Sequence, residues 1–185
     1  IANTAANQTY SNLTQTTWYQ AVVQSVGCPS DSSSIAIITV NPAAIAGTLS
    51  GGGVYCGVPA TGTLTLSGTT GVIASWFSST DNGASWSPIS NTTSTENYTN
   101  LSTTTLYTVL VQSTGCPPDT SNVEVVSVAP QTVAGTINSN ATVCYYLNND
   151  TLTLTGNTGN VISWISSVDN GLTWTPIVDT TSTYI

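Results

Sequence analysis

The side chains able to do chemistry in this sequence are eight carboxylates and four cysteines, because the chain contains no Lys, Arg, His or Met. Its formal net charge is −8 over 185 residues. Phosphate backbones are bound through Lys and Arg, so we expect no nucleic-acid partner. The same inventory excludes histidine catalysis and lysine Schiff bases, and we expect a protein that is not an enzyme. Each carboxylate must face water, accept N–H groups, or meet a metal ion or a partner.

Only two acidic positions recur along the chain at a fixed spacing, Asp31 with Asp119 and Asp81 with Asp169. Calcium takes about six to eight oxygen ligands, usually with several carboxylates, and these positions fall in separate loops. A calcium site is therefore an open alternative that the sequence does not favour. Glycoside hydrolysis needs two neighbouring carboxyl groups, and no second acid accompanies either position. We expect no cofactor.

These positions belong to a longer pattern, because residues 1–97 align with residues 89–185 at a constant offset of 88 without a gap. Cys28, for example, matches Cys116 (116 − 28 = 88). Self-similarity at a fixed period marks a tandem array of small domains, whose function belongs to the assembly. The chain then holds the C-terminal part of one repeat at 1–40, a complete repeat at 41–128 and the N-terminal part of the next at 129–185. Since the pattern is cut in mid-repeat at both ends, we expect it to continue in a longer protein.

Each repeat is predicted to consist of short β-strands separated by turns. β-Branched and aromatic residues fill the strands, Asn-Gly marks a hairpin, and no helical periodicity occurs. Seven short strands in about 90 residues predict an all-β fold, built as tandem immunoglobulin-like β-sandwich repeats of 88 residues. The predicted strands of the complete repeat are Ala44–Thr48, Leu64–Leu66, Val72–Ser78, Ser85–Ile89, Glu96–Thr99, Leu106–Gln112 and Val123–Val128.

One disulfide per repeat is the expected use of the cysteines. We pair Cys56 with Cys116 inside the complete repeat, which would stabilise it by about 4 kcal/mol. Cys28 and Cys144 then bond to partners outside the chain. The alternatives are a Cys28–Cys56 bond across a repeat boundary and, less favoured because no Cys-x-x-Cys spacing occurs, free thiols or a Cys-only metal site. Disulfides indicate an oxidising, extracellular compartment.

Solubility must come from neutral groups, because only 4% of the residues are charged. Covalent glycans would supply it, and we expect dense glycosylation at Asn-x-Ser/Thr acceptor motifs. The alternative is that a chain rich in Asn and Thr forms such triplets by chance. The seven candidate acceptors are Asn7, Asn12, Asn91, Asn97, Asn100, Asn140 and Asn149.

A motif of the form Ser-x-Asp-x-Gly-x-Ser/Thr-Trp occurs at Ser79–Trp86 and again at Ser167–Trp174. It resembles the Asp-box, a hairpin of sialidases and other β-rich proteins that act on carbohydrates. The resemblance implies a structural turn, in which the Asp accepts backbone N–H groups and the Gly supplies a positive φ. A sialidase site would also need arginines for the substrate carboxylate, and the chain has none. The residues predicted to form these turns are Asp81, Gly83, Asp169 and Gly171.

The aromatic residues have two interpretations. Trp76 and Trp164 fall in the middle of a strand, where an immunoglobulin-type sandwich buries a Trp, and we place them in the core together with Tyr107. Trp86 and Trp174 follow the hairpins. They either pack over the turn or stack on a sugar.

The whole repeat is similar to the tandem immunoglobulin-like repeats of very large surface proteins of Bacteroidota, which include gliding-motility-type adhesins and secreted filaments. The likeness is carried by the stretch from Gly47 to Ile89, with its Leu-Thr-Leu and Trp-x-x-x-x-Asp-Asn-Gly segments, and by the stretch from Tyr98 to Cys116. It implies a repeat that serves in a large extracellular assembly.

Composition, period and resemblance together predict a structural subunit of an extracellular, heavily glycosylated filament or fibril. The chain would associate with itself and with adjacent repeats, outside the cell or at its surface. The alternative is an adhesin stalk or a carbohydrate-binding surface repeat that has glycans as partners. No stretch of about 18 apolar residues occurs, so we expect no membrane span in this segment.

Overall fold

The computed structural model describes residues 4–57, 59–137, 140–146 and 148–184. All regular elements in these residues are β-strands, so the chain is all-β, as predicted. Within the described ranges there is no helix of the length and apolarity needed to cross a membrane. The chain divides into two compact units. Unit 1 consists of Ile1–Gly52, Gly62–Tyr98 and Thr105–Val125, and unit 2 of Gly53–Thr61, Thr99–Thr104 and Val126–Ile185.

The described residues up to position 40 form two small antiparallel sheets. The four strands are β1 (Thr17–Tyr19), β2 (Val22–Val23), β3 (Asp31–Ser32) and β4 (Ala36–Ile38). β1 pairs with β4, and β2 pairs with β3. The strand pairs are therefore nested, as in one long hairpin that is interrupted in the middle.

The segment from 41 to 130 holds the longest strands. They are β5 (Thr48–Ser50), β6 (Gly53–Cys56), β7 (Ala60–Ser67), β8 (Val72–Ser79), β9 (Ser87–Ile89), β10 (Thr95–Leu101), β11 (Thr105–Gln112), β12 (Asp119–Thr120) and β13 (Glu124–Ala129). One sheet has the order β10-β7-β5, and a second has the order β6-β13-β11-β8-β9 with β12 also paired to β11. β6 runs parallel to β13, whereas β8 is antiparallel to both β9 and β11.

The remaining segment contains five short strands. They are β14 (Thr136–Ile137), β15 (Leu152–Thr155), β16 (Trp164–Ser166), β17 (Thr175–Ile177) and β18 (Thr183–Tyr184). β14, β15 and β18 form one sheet in that order, and β16 pairs with β17.

The strand β11 buries every second residue, which places a core inside the segment from 41 to 128. Along β11, Thr105, Tyr107, Val109 and Val111 are buried, while the residues between them are partly exposed. This period of two is expected of a sheet that turns one face inward. The largest fully buried side chains are Leu49, Leu64, Trp76, Val109, Val111 and Val126, contributed by both sheets.

Two strands, β6 and β12, are missing from the predicted set, and β5 begins later than expected. Gly51, Gly52 and Gly53 suggest a turn in the sequence, yet Gly53 already pairs with Val126 in a parallel register. Parallel pairing joins segments that are distant in the chain, and local patterns carry no signal for it. β5 starts at Thr48 because the preceding Gly47 has a φ of 77°.

The strand registers recur at the spacing seen in the sequence. Thr48 lies opposite Ser67, and 88 residues later Thr136 lies opposite Thr155. The pairs Trp76–Ile89 and Trp164–Ile177 are related in the same way, as are Leu110–Thr120 and Val22–Ser32. Equivalent positions therefore adopt equivalent pairings in each part of the chain.

Candidate functional site

Each of the eight carboxylates accepts a hydrogen bond from the protein, and seven of them accept one from a backbone N–H. Such charge-assisted bonds take the place of salt bridges in a chain without cations. The described residues contain no group of three acids or thiols that could hold a metal ion, so nothing here adds support to the calcium alternative. The pairs are Asp31–Ser32, Asp81–Ser85, Asp119–Ala46, Glu124–Gly52, Asp150–Thr151, Asp169–Thr173 and Asp179–Thr181 for backbone donors, and Glu96–Asn91 for a side-chain donor.

The hairpin between β8 and β9 is built around the Asp81 carboxylate. Its Oδ1 accepts the Ser79 hydroxyl over 2.7 Å and the Ser85 N–H over 2.9 Å, and its Oδ2 accepts the Ser85 hydroxyl. The Ser79 Oγ accepts the Gly83 N–H over 2.9 Å. Asn82 and Gly83 have φ of 59° and 87°, a region that Asn and Gly tolerate best. The turn is therefore held by its own side chains.

The second hairpin reproduces this geometry. Asp169 Oδ1 accepts the Ser167 hydroxyl over 2.7 Å and the Thr173 N–H over 2.9 Å. The Gly171 N–H donates to Ser167 Oγ over 2.9 Å. Thr173 stands where the first hairpin has Ser, and its hydroxyl makes the same bond to Oδ2. Both hairpins therefore need only a hydroxyl at this position, which Ser and Thr supply equally.

These bonds hold the pKa of Asp81 at about 2, below its ordinary 3.8; the Ser85 hydroxyl is the largest cause, followed by the Ser85 N–H and the Ser79 hydroxyl. Because folding lowers this pKa, the carboxylate stabilises the hairpin fully above pH 3.8, and the contribution is lost as the pH falls towards 2. We expect the Asp81→Asn variant to be less stable than the parent chain at neutral pH, and the difference to vanish below about pH 2. Urea midpoints measured across this range check it. Profiles that stay parallel down to the lowest pH would contradict the assignment.

The structure places the predicted core aromatics in the interior. Trp76 is fully buried, and its Nε1 donates to the Thr93 carbonyl over 2.9 Å. Trp164 is also buried, and its Nε1 donates to the Thr181 carbonyl over the same distance. Tyr107 is buried as well, and burial raises the pKa of its hydroxyl. Each indole N–H thus has an acceptor, which buried Trp requires.

Trp86 and Trp174 lie over the hairpin glycines. A Cβ on Gly83 would be 3.8 Å from the Trp86 ring, and one on Gly171 would be 3.6 Å from the Trp174 ring. The Trp174 Nε1 donates to the Gly171 carbonyl over 3.1 Å, while its side chain stays 57% exposed. The packing over the turn therefore leaves part of the Trp174 ring open to solvent.

The four cysteines are separate thiols here, and the expected bond between Cys56 and Cys116 is not formed. Cys56 is exposed at the end of β6, opposite Ala129, the last residue of β13. Cys116 comes before β13 begins, and its Sγ lies 3.6 Å from the Pro42 carbonyl oxygen. A disulfide needs Cα atoms within about 7 Å of each other, and the neighbours of the two thiols are Ala129 for Cys56 and Pro42 for Cys116. Neither is the alternative bond from Cys28 present.

Six of the candidate glycan acceptors are exposed, whereas Asn91 is half-buried and fully engaged. Its Nδ2 donates to the Thr95 carbonyl over 2.7 Å and to the Glu96 carboxylate, and its Oδ1 accepts the Thr93 N–H over 2.8 Å. Asp179 makes the corresponding turn 88 residues later. This geometry favours a structural role for Asn91. The exposed candidates are Asn7, Asn12, Asn97, Asn100, Asn140 and Asn149.

Three polar side chains from residues 119–124 hold the first strand region of the complete repeat, and the sequence analysis missed them. The Asn122 Oδ1 accepts the Leu49 N–H over 2.7 Å, and its Nδ2 donates to the Leu49 carbonyl over 3.0 Å. Asp119 and Glu124 accept N–H groups on either side of this pair. The sequence shows these side chains only as the pattern Asp-x-x-Asn-x-Glu. The backbone N–H groups that they bind lie 72 or 73 residues away in the chain, so the pattern alone does not predict the contacts.

A family described as a domain of unknown function (DUF8696) matches the chain at residues 1–42, 45–130 and 133–185. The chain belongs to this family. The second and third DUF8696 matches begin 88 residues apart (133 − 45), and the first and second end 88 residues apart (130 − 42). The family therefore recurs along the chain at the period of the sequence pattern. No curated protein matches the chain.

Proposed function

We propose that this chain is a structural subunit of an extracellular, glycosylated filament built from tandem immunoglobulin-like repeats. The observation that carries the proposal is the recurrence of side-chain contacts at a constant spacing. Trp76 and Trp164 donate to carbonyls 17 residues later, each over 2.9 Å. The two Asp hairpins agree in three further distances. Uniform units at uniform spacing are what a regular assembly requires.

The order of the strands supports the immunoglobulin-like assignment. The first strand region is split into β5, in the sheet with β7 and β10, and β6, which runs parallel to β13 in the other sheet. A buried Trp lies on the strand that follows the β7 turn, where immunoglobulin-type sandwiches carry theirs.

Hydrogen bonds hold the start of the complete repeat against a loop of the same repeat. Asn41 Nδ2 donates to the Thr114 carbonyl over 2.7 Å, and the Ser113 hydroxyl donates to the Pro42 carbonyl over 2.7 Å. The junction is therefore bonded to the loop after β11 and does not hang free. A segment that is bonded in this way has fewer residues free to bend than a flexible linker of the same length.

The surface chemistry supports an extracellular location. No Lys or Arg is present, so proteases that cleave after cations find no site, and ion pairs cannot hold neighbouring subunits together. The carboxylates are already engaged by N–H groups of the chain itself. Contacts between subunits must then come from apolar surface, neutral hydrogen bonds and backbone pairing.

Glycosylation is tested by two variants with opposite outcomes. Ser102→Ala removes the acceptor motif of the exposed Asn100 while keeping Asn100 itself, and we expect the intact mass of protein from its native host to fall by one glycan. Asn91→Gln breaks the turn bonds of Asn91, so we expect the glycan mass to stay unchanged and the free energy of unfolding to fall by about 1–2 kcal/mol. Intact-mass spectrometry and urea unfolding measure both. A parent mass equal to that of the bare polypeptide would refute glycosylation of the chain. A lost glycan in Asn91→Gln would refute the structural role of Asn91.

A second candidate function is an adhesin stalk or carbohydrate-binding repeat. The partly exposed Trp174 ring over the second hairpin favours it, because aromatic faces stack on sugars. Binding to a glycan array that is lost in Trp86→Ala and Trp174→Ala together would support this function. Unchanged binding in that double variant would remove it.

Imaging of native material tests the filament proposal. We expect ordered filaments whose axial repeat corresponds to one or two 88-residue units and whose density fits the complete repeat. Dispersed single chains in native material would overturn the proposal.

A further inference from the structure

Each of the two hairpin tips contains an Asn followed by a Gly, a pair that occurs nowhere else in the sequence. The backbone of the turn requires both residues. Asn82 and Asn170 have φ of 59° and 57°, and the glycines that follow them, Gly83 and Gly171, have φ of 87° and 83°. Asn tolerates this left-handed region better than most residues with a side chain, and Gly enters it without strain. The shape of the turn therefore selects the Asn-Gly pair.

An Asn-Gly pair is also the point at which a polypeptide most readily loses a side-chain amide, because Gly has no side chain to hinder the reaction. The backbone nitrogen of the Gly gives up its proton and attacks the side-chain carbon of the Asn. A bond from this nitrogen to Cγ forms, the bond from Cγ to Nδ2 breaks, and ammonia leaves with that proton. Water then opens the succinimide ring to give Asp or isoaspartate. The attacking group is thus the N–H of the Gly.

In both hairpins this N–H is bound to a neighbouring hydroxyl. The Gly83 N–H donates to Ser79 Oγ over 2.9 Å, and the Gly171 N–H donates to Ser167 Oγ over the same distance. Each hydroxyl in turn donates over 2.7 Å to Oδ1 of the Asp that precedes the Asn-Gly pair. The carboxylate therefore orients the serine oxygen so that a lone pair faces the Gly N–H. A backbone N–H that is bonded in this way gives up its proton to solvent more slowly than a free one.

The hydroxyl in the first hairpin is shielded from water, whereas the amide that would react is not. Ser79, at the end of β8, is 3% exposed, and Asn82 is exposed at the hairpin tip. Burial of the Asn side chain therefore does not protect it. What opposes the reaction is the bond that holds the Gly83 N–H on a buried serine, out of reach of hydroxide.

We infer that Asn82 and Asn170 are latent deamidation sites, and that the hydroxyls of Ser79 and Ser167 keep both sites unreacted. The serine of each hairpin then has a second role besides closing the turn, because it sets the chemical lifetime of the Asn. This role goes beyond the filament proposal and does not depend on it.

Deamidation at the tip would damage the hairpin. A new carboxylate at position 82 would stand next to Asp81, and the chain has no Lys or Arg to offset the added charge. Repulsion between neighbouring carboxylates opposes the bonds that Asp81 accepts from Ser79 and Ser85. Isoaspartate would also lengthen the backbone by an additional carbon inside the turn that these bonds span. The bond from Gly83 to Ser79 therefore preserves the geometry that both hairpins share.

Ser79→Ala in the full chain tests the inference. We expect Asn82 to deamidate on the order of tenfold faster than in the parent chain, because the variant removes the acceptor of the Gly83 N–H. Deuterium exchange at the Gly83 N–H should become faster as well. Asn170 should keep the rate of the parent, since its own hairpin is unchanged and serves as an internal reference. Ser167→Ala is the reciprocal variant and should accelerate Asn170 alone.

Mass spectrometry of chymotryptic fragments, taken over time in mildly alkaline buffer, measures the two sites separately. Chymotrypsin cleaves after aromatic residues, which flank the first site at Trp76 and Trp86 and the second at Trp164 and Trp174. The parent chain kept unfolded in urea gives the rate of an unprotected pair. Circular dichroism of each variant checks that it is folded.

Ser85→Ala is the matched control at the first hairpin. It removes the hydroxyl bond to Asp81 Oδ2 but leaves the bond between Gly83 and Ser79 in place. The hairpin is weakened without release of the attacking N–H, so deamidation at Asn82 should stay close to the parent rate.

The inference is overturned if Ser79→Ala and Ser167→Ala both leave the deamidation rates unchanged. Equal acceleration of the two sites in either single variant would overturn it as well, because general unfolding would then be the cause. Acceleration in Ser85→Ala as large as that in Ser79→Ala would assign the effect to the hairpin as a whole and not to the bonded N–H. A folded parent that deamidates as fast as the unfolded chain would show that the serines protect nothing.

Discussion

The Trp76→Ala variant is expected to lose about 4 kcal/mol of its free energy of unfolding, the range for truncating a fully buried Trp. The indole is fully buried, and its N–H bond to the Thr93 carbonyl disappears with it. Val109 and Ile89 flank it on the neighbouring strands, so the vacated space is bounded on both sides. A loss of this size is a large share of the stability of a domain of about 90 residues. Urea unfolding of the full chain, followed by circular dichroism, measures it.

Trp174→Ala is the matched control. Its side chain is 57% exposed and its bond to the Gly171 carbonyl lies at the surface, so a loss below about 1 kcal/mol is expected. The loss of unfolding free energy in Trp76→Phe should lie between those of the two Ala variants, because Phe keeps a ring in the core but leaves the Thr93 carbonyl without its donor. Equal losses for Trp76→Ala and Trp174→Ala would show that the core does not depend on Trp76.

The features that sequence reasoning found are those with a local signature. The strands β8 and β11 follow from their content of β-branched and aromatic residues, and Trp76 follows from its place in the middle of such a strand. The Asp81 hairpin is closed entirely by residues within a few positions of one another. Contacts of this kind are determined by residues close to one another in the chain, so they can be predicted without the tertiary structure.

The features that it missed depend on partners distant in the chain. The parallel pairing of β6 with β13 joins residues 53–56 to 126–129, and Asn122 reaches Leu49 across 73 positions. Proximity of Cys56 and Cys116 was inferred from membership in one repeat, whereas the topology puts Cys56 beside Ala129. A count of residues within a repeat does not say which ends of the strands meet.

The glycan acceptors show the same limit on a smaller scale. The triplets at Asn91 and Asn100 both satisfy the Asn-x-Ser/Thr motif, yet Asn91 is bound into a turn and Asn100 is exposed. The only sequence clue is that the next repeat has Asp179 in its place. Asp can accept the same backbone bond but cannot carry the glycan.

Gly47→Ala carries the second large effect, an expected loss of about 3 kcal/mol, with about 1 kcal/mol from the left-handed backbone and the rest from a steric clash. Gly47 has a φ of 77°, and a Cβ there would lie 2.0 Å from the Ser67 carbonyl oxygen. That oxygen belongs to the residue opposite Thr48, at the point where β5 joins β7. The backbone must move apart to admit the methyl group, and the pairing of the first strand is then disturbed.

Gly68→Ala isolates the clash from the backbone strain. Gly68 has a φ of 73°, close to that of Gly47, but nothing lies within 4 Å of its Cβ position. We expect Gly68→Ala to cost about 1 kcal/mol, measured by urea unfolding alongside Gly47→Ala. The difference between the two variants is then the energy of forcing β5 and β7 apart. If both variants lose the same amount, β5 is held by the side chains of Asn122 and its neighbours and not by close approach to β7.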